Sequence, residues 1–230
     1  MRNAPAKAII ICAGEASRWG NYLNTPKHLI TIEGERLLDR TVRLLRERGI
    51  EEIYTVVRSM TREYRVPGAA QYVAALDPEA HGDADKFLSS RDLWNKHGRT
   101  LVFYGDCYFT EEAMDTIIGF ASREWTLFCR PQASEITGTP WGECFAHSFY
   151  PEDLERHENR LHYIIRLFKQ GAINRLGGWE HYRAMTGRSG EDVGKHVMTT
   201  HYVTIDDWTD DFDYPKDLES WLENRKSLTP

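Results

Sequence analysis

ICAGEASRWGNYLNTPKHL, residues 11–29, follows a short apolar run and decides how the rest of the chain is read. It is built like a phosphate-binding loop yet fits neither common template. The dinucleotide-binding turn needs G-x-G-x-x-G, and its three glycine positions here hold Gly14, Ala16 and Trp19. The Walker loop closes on Gly-Lys-Ser/Thr, whereas Gly20 is followed by Asn21. What remains is a strand, a turn at Gly14, then Arg18 and a later Pro26-Lys27. A glycine lets backbone N–H groups approach a ligand with no Cβ in the way. Arg18 adds a planar fork that matches phosphate oxygens, and Lys27 a movable point charge. Two cations on such a loop suit a polyphosphate better than a carboxylate ligand. The plain alternative is a solvated loop with two ordinary basic residues.

The 230 residues, 41% hydrophobic and 28% charged, are enough to bury one large core. A net charge of −6 argues against nonspecific nucleic-acid binding, which needs a basic face. It leaves room for a phosphorylated small ligand in a locally basic cleft. Cys12, Cys107, Cys129 and Cys144 form no C-x-x-C pair, so free thiols and a reducing, cytoplasmic setting are expected. The apolar run before Gly14 is too short for a secretory segment, and no other stretch is long enough to span a bilayer.

Outward from the loop, two periodicities alternate. AKAIIICA (6–13) reads as a strand buried on both faces. RLLDRTVRLLRERG (36–49) reads as an amphipathic helix ending at glycine. Strands are expected at 51–57, 71–76, 99–105 and 124–130, and helices at 83–98 and 111–121. That order implies right-handed crossovers and a mainly parallel sheet, with ligands beyond the carboxyl ends of its strands. In the second half 141–150 alternates like an antiparallel strand. Helices are expected at 151–171, 173–186 and 214–227, and a strand at 196–206. No repeat or linker divides the chain, so residues 1–230 are read as a single domain.

Two acidic features stand at strand ends. Asp106 follows Gly105 after the run LVFY, where a carboxylate is either a helix cap or a metal ligand. Thr110, directly before Glu111-Glu112, is the better placed cap, which favours the metal reading. TIDDWTDDFDYPKDLES (204–220) crowds six aspartates between a strand and a helix. Its plain reading is a solvated acidic turn with Asp213 capping the helix near Pro215.

Taken together, these motifs resemble the nucleotidyltransferases of the nucleotide-diphospho-sugar transferase (GT-A-like) superfamily. The usual opening A-A-G-x-G-x-R followed by Pro-Lys is matched at Ala13, Gly14, Arg18, Pro26 and Lys27, and departs at Cys12 and Ala16. Gly34, Leu37, Leu38, Leu45 and Gly49 follow the family's next motif. DFDYPKDLE resembles D-x-D-T-P-E-D-L of cytidylyltransferases and molybdenum-cofactor nucleotidyltransferases, with Tyr214 and Lys216 replacing Thr and Glu.

The resemblance implies a Rossmann-like three-layer α/β/α fold with a mixed, mainly parallel sheet. Residues 1–130 would bind the nucleotide and 131–230 the acceptor. It implies Mg²⁺-dependent transfer of an NMP from a nucleoside triphosphate to a phosphorylated small molecule, a sugar phosphate or a phospho-alcohol such as phosphocholine. Arg18 and Lys27 would be catalytic. Cys12, Ala13, Gly14, Glu15, Ala16 and Ser17 would line the nucleotide path, with Gly82 and Ser89 from HGDADKFLSS (81–90). Asp106 and Asp213 would hold Mg²⁺. Trp141, Glu143, Trp179, Tyr182 and Lys195 are candidates for the acceptor side. No membrane or nucleic-acid partner is implied, and a homodimer is compatible with this reading. The nine histidines show no ligand spacing and are read as surface or packing residues. Two alternatives stay open: a glycosyltransferase using a nucleotide sugar, and a nucleotide-binding module without catalysis.

Overall fold

The computed structural model describes residues 6–15 and 17–227; Ala16 lies outside them. The first apolar run forms β1 (Lys7–Ile11), buried because it has a strand on either side and helices on both faces. A small hairpin, β2 (Thr31–Ile32) and β3 (Glu35–Arg36), turns through Glu33 and Gly34 at φ 54° and 83°. It feeds α1 (Leu37–Glu47), whose leucines face the core. The chain continues through β4 (Glu52–Val57), β5 (Ala70–Val73), α2 (Asp83–Ser89) and β6 (Thr100–Tyr104). Next come the short β7 (Cys107–Tyr108), α3 (Glu111–Gly119) and β8 (Thr126–Arg130). The Thr110 hydroxyl caps α3 by accepting from the Ala113 N–H at 3.0 Å. The second half supplies β9 (Glu143–Phe149), α4 (Leu154–Lys169), α5 (Gly178–Met185), β10 (Tyr202–Thr204), β11 (Asp210–Asp211) and α6 (Pro215–Lys226).

Seven strands form one sheet in the order β10-β8-β9-β6-β1-β4-β5. All its neighbouring pairs are parallel except those of β9, which runs against β6 and β8. This is the mixed, mainly parallel three-layer α/β/α sheet that the sequence implies. Alternate residues of β1 sort the layers. Ala8 and Ile10 pack with α1 and α3, while Ile9 and Ile11 face the side carrying α2, α4 and α5. A third, smaller core joins Trp19, Tyr108, Phe212, Leu218 and Trp221, tying the residue 11–29 loop to β7, β11 and α6. No helix among the described residues is long and apolar enough to cross a membrane.

Three elements are shorter than their periodicity predicts. The helix expected over 83–98 stops at Ser89, because the Ser90 hydroxyl bonds back to the Phe87 carbonyl at 2.7 Å and Asn95 opens an Asx turn to His97 and Gly98. The helix expected over 173–186 begins only at Gly178, since the Leu176 carbonyl is occupied by the N–H groups of Asp83 and Ala84. The strand expected over 196–206 starts at Tyr202, after His201 at φ 63° breaks the extended run.

One buried ion pair fixes β11 to the sheet. The Arg130 guanidinium, at the end of β8, donates to Asp210 Oδ1 at 2.6 Å and to the Thr209 carbonyl at 3.1 Å. The second carboxylate oxygen accepts from Ser134 at 2.7 Å and from Thr137 at 3.3 Å. Removing one partner strands a buried charge. Asp210→Ala is therefore expected to lower stability by about 3–5 kcal/mol in urea unfolding. A loss below about 1 kcal/mol would show that β11 is held by other contacts.

His147, His157 and His181 are buried together between the sheet and α4 and α5, with His157 stacked 4.1 Å from the Phe149 ring. Burial pulls the first two well below the ordinary histidine value and His181 down to about 3. These rings stay neutral when folded, while the unfolded chain takes up protons below about pH 6.5. Their stabilisation is thus complete above pH 6.5 and is lost as pH falls from there towards 3. Each is expected to cost up to about 1.4 kcal/mol per pH unit over that fall. The urea midpoint should drop from pH 7 to pH 5, and His157→Phe should shrink the drop; equal midpoints in the parent protein would contradict this.

Candidate active site

The site begins where β1 and β6 end side by side. A Cβ on Gly105 would lie 2.5 Å from Cys12 Sγ and 2.7 Å from the Ile11 carbonyl oxygen, so only glycine lets this turn close on β1. Its N–H bonds to that same carbonyl at 3.0 Å. The turn delivers Asp106 to the mouth of the loop. Trp19, at the third template glycine position, is a buried anchor whose indole N–H bonds to the Thr25 carbonyl at 2.9 Å. It folds the loop back so that Lys27, far along the chain from Gly14, meets Asp106.

The aspartates of 204–220 divide their work. Asp207 accepts from the Thr110 hydroxyl at 2.6 Å, and Asp210 makes the buried pair with Arg130. Asp217 accepts from the Tyr214 N–H at 2.7 Å and closes the first turn of α6. Asp213 is therefore not the helix cap that a plain acidic turn would make it. Its oxygens meet Lys27 Nζ at 2.9 Å and Arg18 Nη2 at 2.6 Å. Lys27 also pairs with Asp106.

Asp106, Asp211 and Asp213 bring carboxylate oxygens within 4.8 Å of one another. Asp211 escaped the sequence reading; the signal was its D-x-D spacing with Asp213, which sets both on one face of an extended segment. Burial lifts the Asp211 carboxyl well above its ordinary value, and Glu143, Asp213 and Asp106 push it further. Burial likewise lifts Glu143, with Asp213 and Asp210 adding to it. Burial would raise Asp106 too, but the Lys27 ammonium outweighs it and holds this carboxyl at about 2. Burial alone would lower Lys27, yet Asp106 and Asp213 keep it firmly protonated. Two cations leave part of this crowd of carboxylates uncompensated. The donor set, all hard oxygens close together, fits a divalent cation.

These groups line one cleft of about 890 Å³. Gly14, Glu15, Ser17, Arg18, Lys27, Gly82, Asp106 and Asp213 line it, and so do Trp141, Glu143 and Trp179. Trp179 donates its indole N–H to the Gly142 carbonyl at 3.1 Å, which joins the two tryptophan-bearing segments. Five expected residues do not reach the cleft. Cys12 and Ala13 are buried beneath the loop, and Ser89 turns its hydroxyl to the Lys86 carbonyl at 2.8 Å. Tyr182 is a core residue whose hydroxyl bonds to the Thr200 carbonyl at 2.9 Å. Lys195 is exposed and pairs with Asp192 at 2.6 Å. Lys86 and Arg58 line the cleft without having been singled out. Arg58 binds the Ala13 carbonyl at 2.9 Å and Glu15 at 3.0 Å, bracing the loop.

Strand ends that set a basic glycine loop against carboxylates belong to an enzyme that handles nucleoside triphosphates. Residues 8–172 match the MobA-like NTP transferase domain, and the chain belongs to that family: it is a nucleotidyltransferase. No curated protein matches the sequence significantly. Similar solved structures include the CTP:phosphocholine cytidylyltransferase LicC of Streptococcus pneumoniae, at 13% identity and TM-score 0.57, covering 96% of this chain and 99% of that one. A putative glucose-1-phosphate thymidylyltransferase of Bacillus anthracis gives 14%, 0.61, 96% and 95%. Rv0371c of Mycobacterium tuberculosis gives 14%, 0.60, 97% and 100%. At these identities the likeness is one of fold.

The domain match ends before β11, so Asp211 and Asp213 stand on geometry. Removing one carboxylate from a three-oxygen cluster should weaken a hard cation at least ~10-fold. Asp211→Asn is expected to do so for Mn²⁺, measured by paramagnetic resonance of the free ion. Unchanged affinity would place the cation elsewhere.

Proposed function

We propose that this nucleotidyltransferase moves an NMP unit from a nucleoside triphosphate to a phosphorylated small molecule, with Mg²⁺ and with release of pyrophosphate. The observation that carries this reading is the meeting of Arg18 and Lys27 with the Asp106–Asp211–Asp213 cluster in a cleft that Trp141, Trp179 and Glu143 also line. Nucleotide would lie over residues 1–130 and the acceptor over the wall supplied by 131–230.

The acceptor phosphate is already anionic at neutral pH, so its oxygen can attack the α-phosphorus without a general base. The new P–O bond forms as the bond from the α-phosphorus to the β-phosphate oxygen breaks, and pyrophosphate leaves with that electron pair. Such a transfer needs in-line positioning and cancellation of charge. Lys27 and Arg18 would hold the phosphates, and the Gly14 turn would offer N–H donors. Mg²⁺, held by Asp106, Asp211 and Asp213, would when bound neutralise further phosphate charge. His147, His157 and His181, buried under α4 and α5, lie outside the cleft.

Glu143 favours a phospho-alcohol with a cationic head, such as phosphocholine. The nearby Arg130 is taken by Asp210 and does not outweigh the burial of Glu143, which lines the cleft together with the two tryptophans. Burial and the nearby aspartates oppose ionisation of this carboxyl group, so an ammonium head beside it would favour its charged form, and the aromatic faces suit the same head. The fold shared with a CTP:phosphocholine cytidylyltransferase agrees with this choice. A sugar 1-phosphate is the second acceptor class, because the exposed Trp141 at the rim also offers a stacking face.

Pyrophosphate release should be measured with each NTP, Mg²⁺ and a panel of phosphocholine, phosphoethanolamine and sugar 1-phosphates. Turnover is expected with one NTP and an ammonium-bearing acceptor. Lys27→Ala and Asp106→Ala should each lower the rate at least ~10²-fold, as loss of a transition-state charge partner does. No pyrophosphate from any combination would overturn the reading.

A further inference from the structure

We propose that Lys86 is a third cation on the triphosphate, gripping its phosphates from the α2 side of the cleft; this rests on the nucleotidyl-transfer reading above. Lys86 lines the cleft with only 18% of its side chain exposed. A Cβ on Gly14 would lie 3.8 Å from its Nζ, so the ammonium abuts the phosphate loop with no side chain between them. Lys86 thus borders the Gly14 turn in the cleft that Asp106 and Asp213 also line, which is where a bound triphosphate would lie.

The ammonium is set in place before any ligand arrives. Asp83, three residues earlier on α2, accepts one bond from it at 2.9 Å. The Asp83 N–H is itself tied to the Leu176 carbonyl at 2.7 Å. Further along α2, Phe87 is fully buried, and the Asp85 carboxylate accepts from the Asp77 N–H at 3.1 Å. An ammonium carries three donors, so two remain after Asp83. A mostly buried lysine held this way loses little rotamer freedom on binding phosphate. Helical spacing explains its aim: Lys86 stands one turn beyond Asp83, and both face the cleft. A role confined to pairing with Asp83 would stabilise the helix and leave nucleotide affinity alone.

Binding should be measured by calorimetry, with Mg²⁺, for CTP, UTP, dTTP, GTP and ATP in turn, and for the NMP matching the tightest of them. Lys86→Met is expected to weaken that NTP by ~10-fold, the scale of one charged hydrogen bond, and to leave the NMP within about twofold. Lys86→Arg, which keeps the charge, should restore NTP affinity to within about threefold. Unchanged NTP affinity in Lys86→Met, or equal weakening of NTP and NMP, would overturn the assignment while leaving the nucleotidyl-transfer reading intact. A parent protein that binds none of the five NTPs would overturn both.

Discussion

The buried pair of Arg130 and Asp210 is the constraint on which the site depends. Every oxygen lone-pair direction of that carboxylate is used: the guanidinium, two hydroxyls and the Asp211 N–H all converge on it. With Asp210 locked inward on a two-residue strand, Asp211 and Asp213 are fixed beside the sheet's ligand edge. A charge of this kind is costly to bury and costly to strand, so it tolerates one arrangement of the returning chain. The active-site carboxylates inherit their positions from a residue that never touches the cleft.

The cleft keeps opposing charges close without letting them settle into full neutrality. Lys27 is buried among carboxylates and stays protonated, while Asp211 and Glu143 resist ionisation because burial and their neighbours oppose it. An environment preorganised in this way stabilises charge as it moves along a phosphate chain, with little rearrangement at the moment of reaction. It also accounts for the division of labour among polar residues. Three of the histidines, His147, His157 and His181, are placed where they remain neutral, under the α4–α5 layer.

The architecture was legible because the longer strands and helices declare their own periods, whereas the two-residue strands β2, β3, β7 and β11 do not. The unbroken run at β1, the amphipathic α1 and the alternation at β9 each specify burial on two sides, one face or an antiparallel setting. The place of Asp106 at the cleft was legible too, since a residue after a strand-ending glycine sits at the ligand edge of such a sheet. Asp211 was not, because its role follows from Arg130, eighty positions upstream, capturing Asp210 and not one of the other aspartates. Nothing local distinguishes those aspartates. Tyr182 was misassigned for a related reason: an aromatic on a short helix can face core or cleft, and here the ring is fully buried with its hydroxyl bonded to the Thr200 carbonyl. Trp19 shows the converse case, a residue that breaks a glycine template because its ring serves as a bolt.

The return of the chain through β11 and α6 has a consequence for biosynthesis. A growing polypeptide that has emerged as far as β9 can already pair β1 with β4 and β6, and so carry the Gly14 loop, Lys27 and Asp106. It still lacks Asp210, Asp211, Asp213 and the tryptophan of α6 that packs on Phe212. Domains assemble from the amino terminus while translation proceeds. Until β11 and the segment after it have emerged, the nascent chain has a phosphate grip with Asp106 alone of the three clustered carboxylates, and the cluster waits on that return.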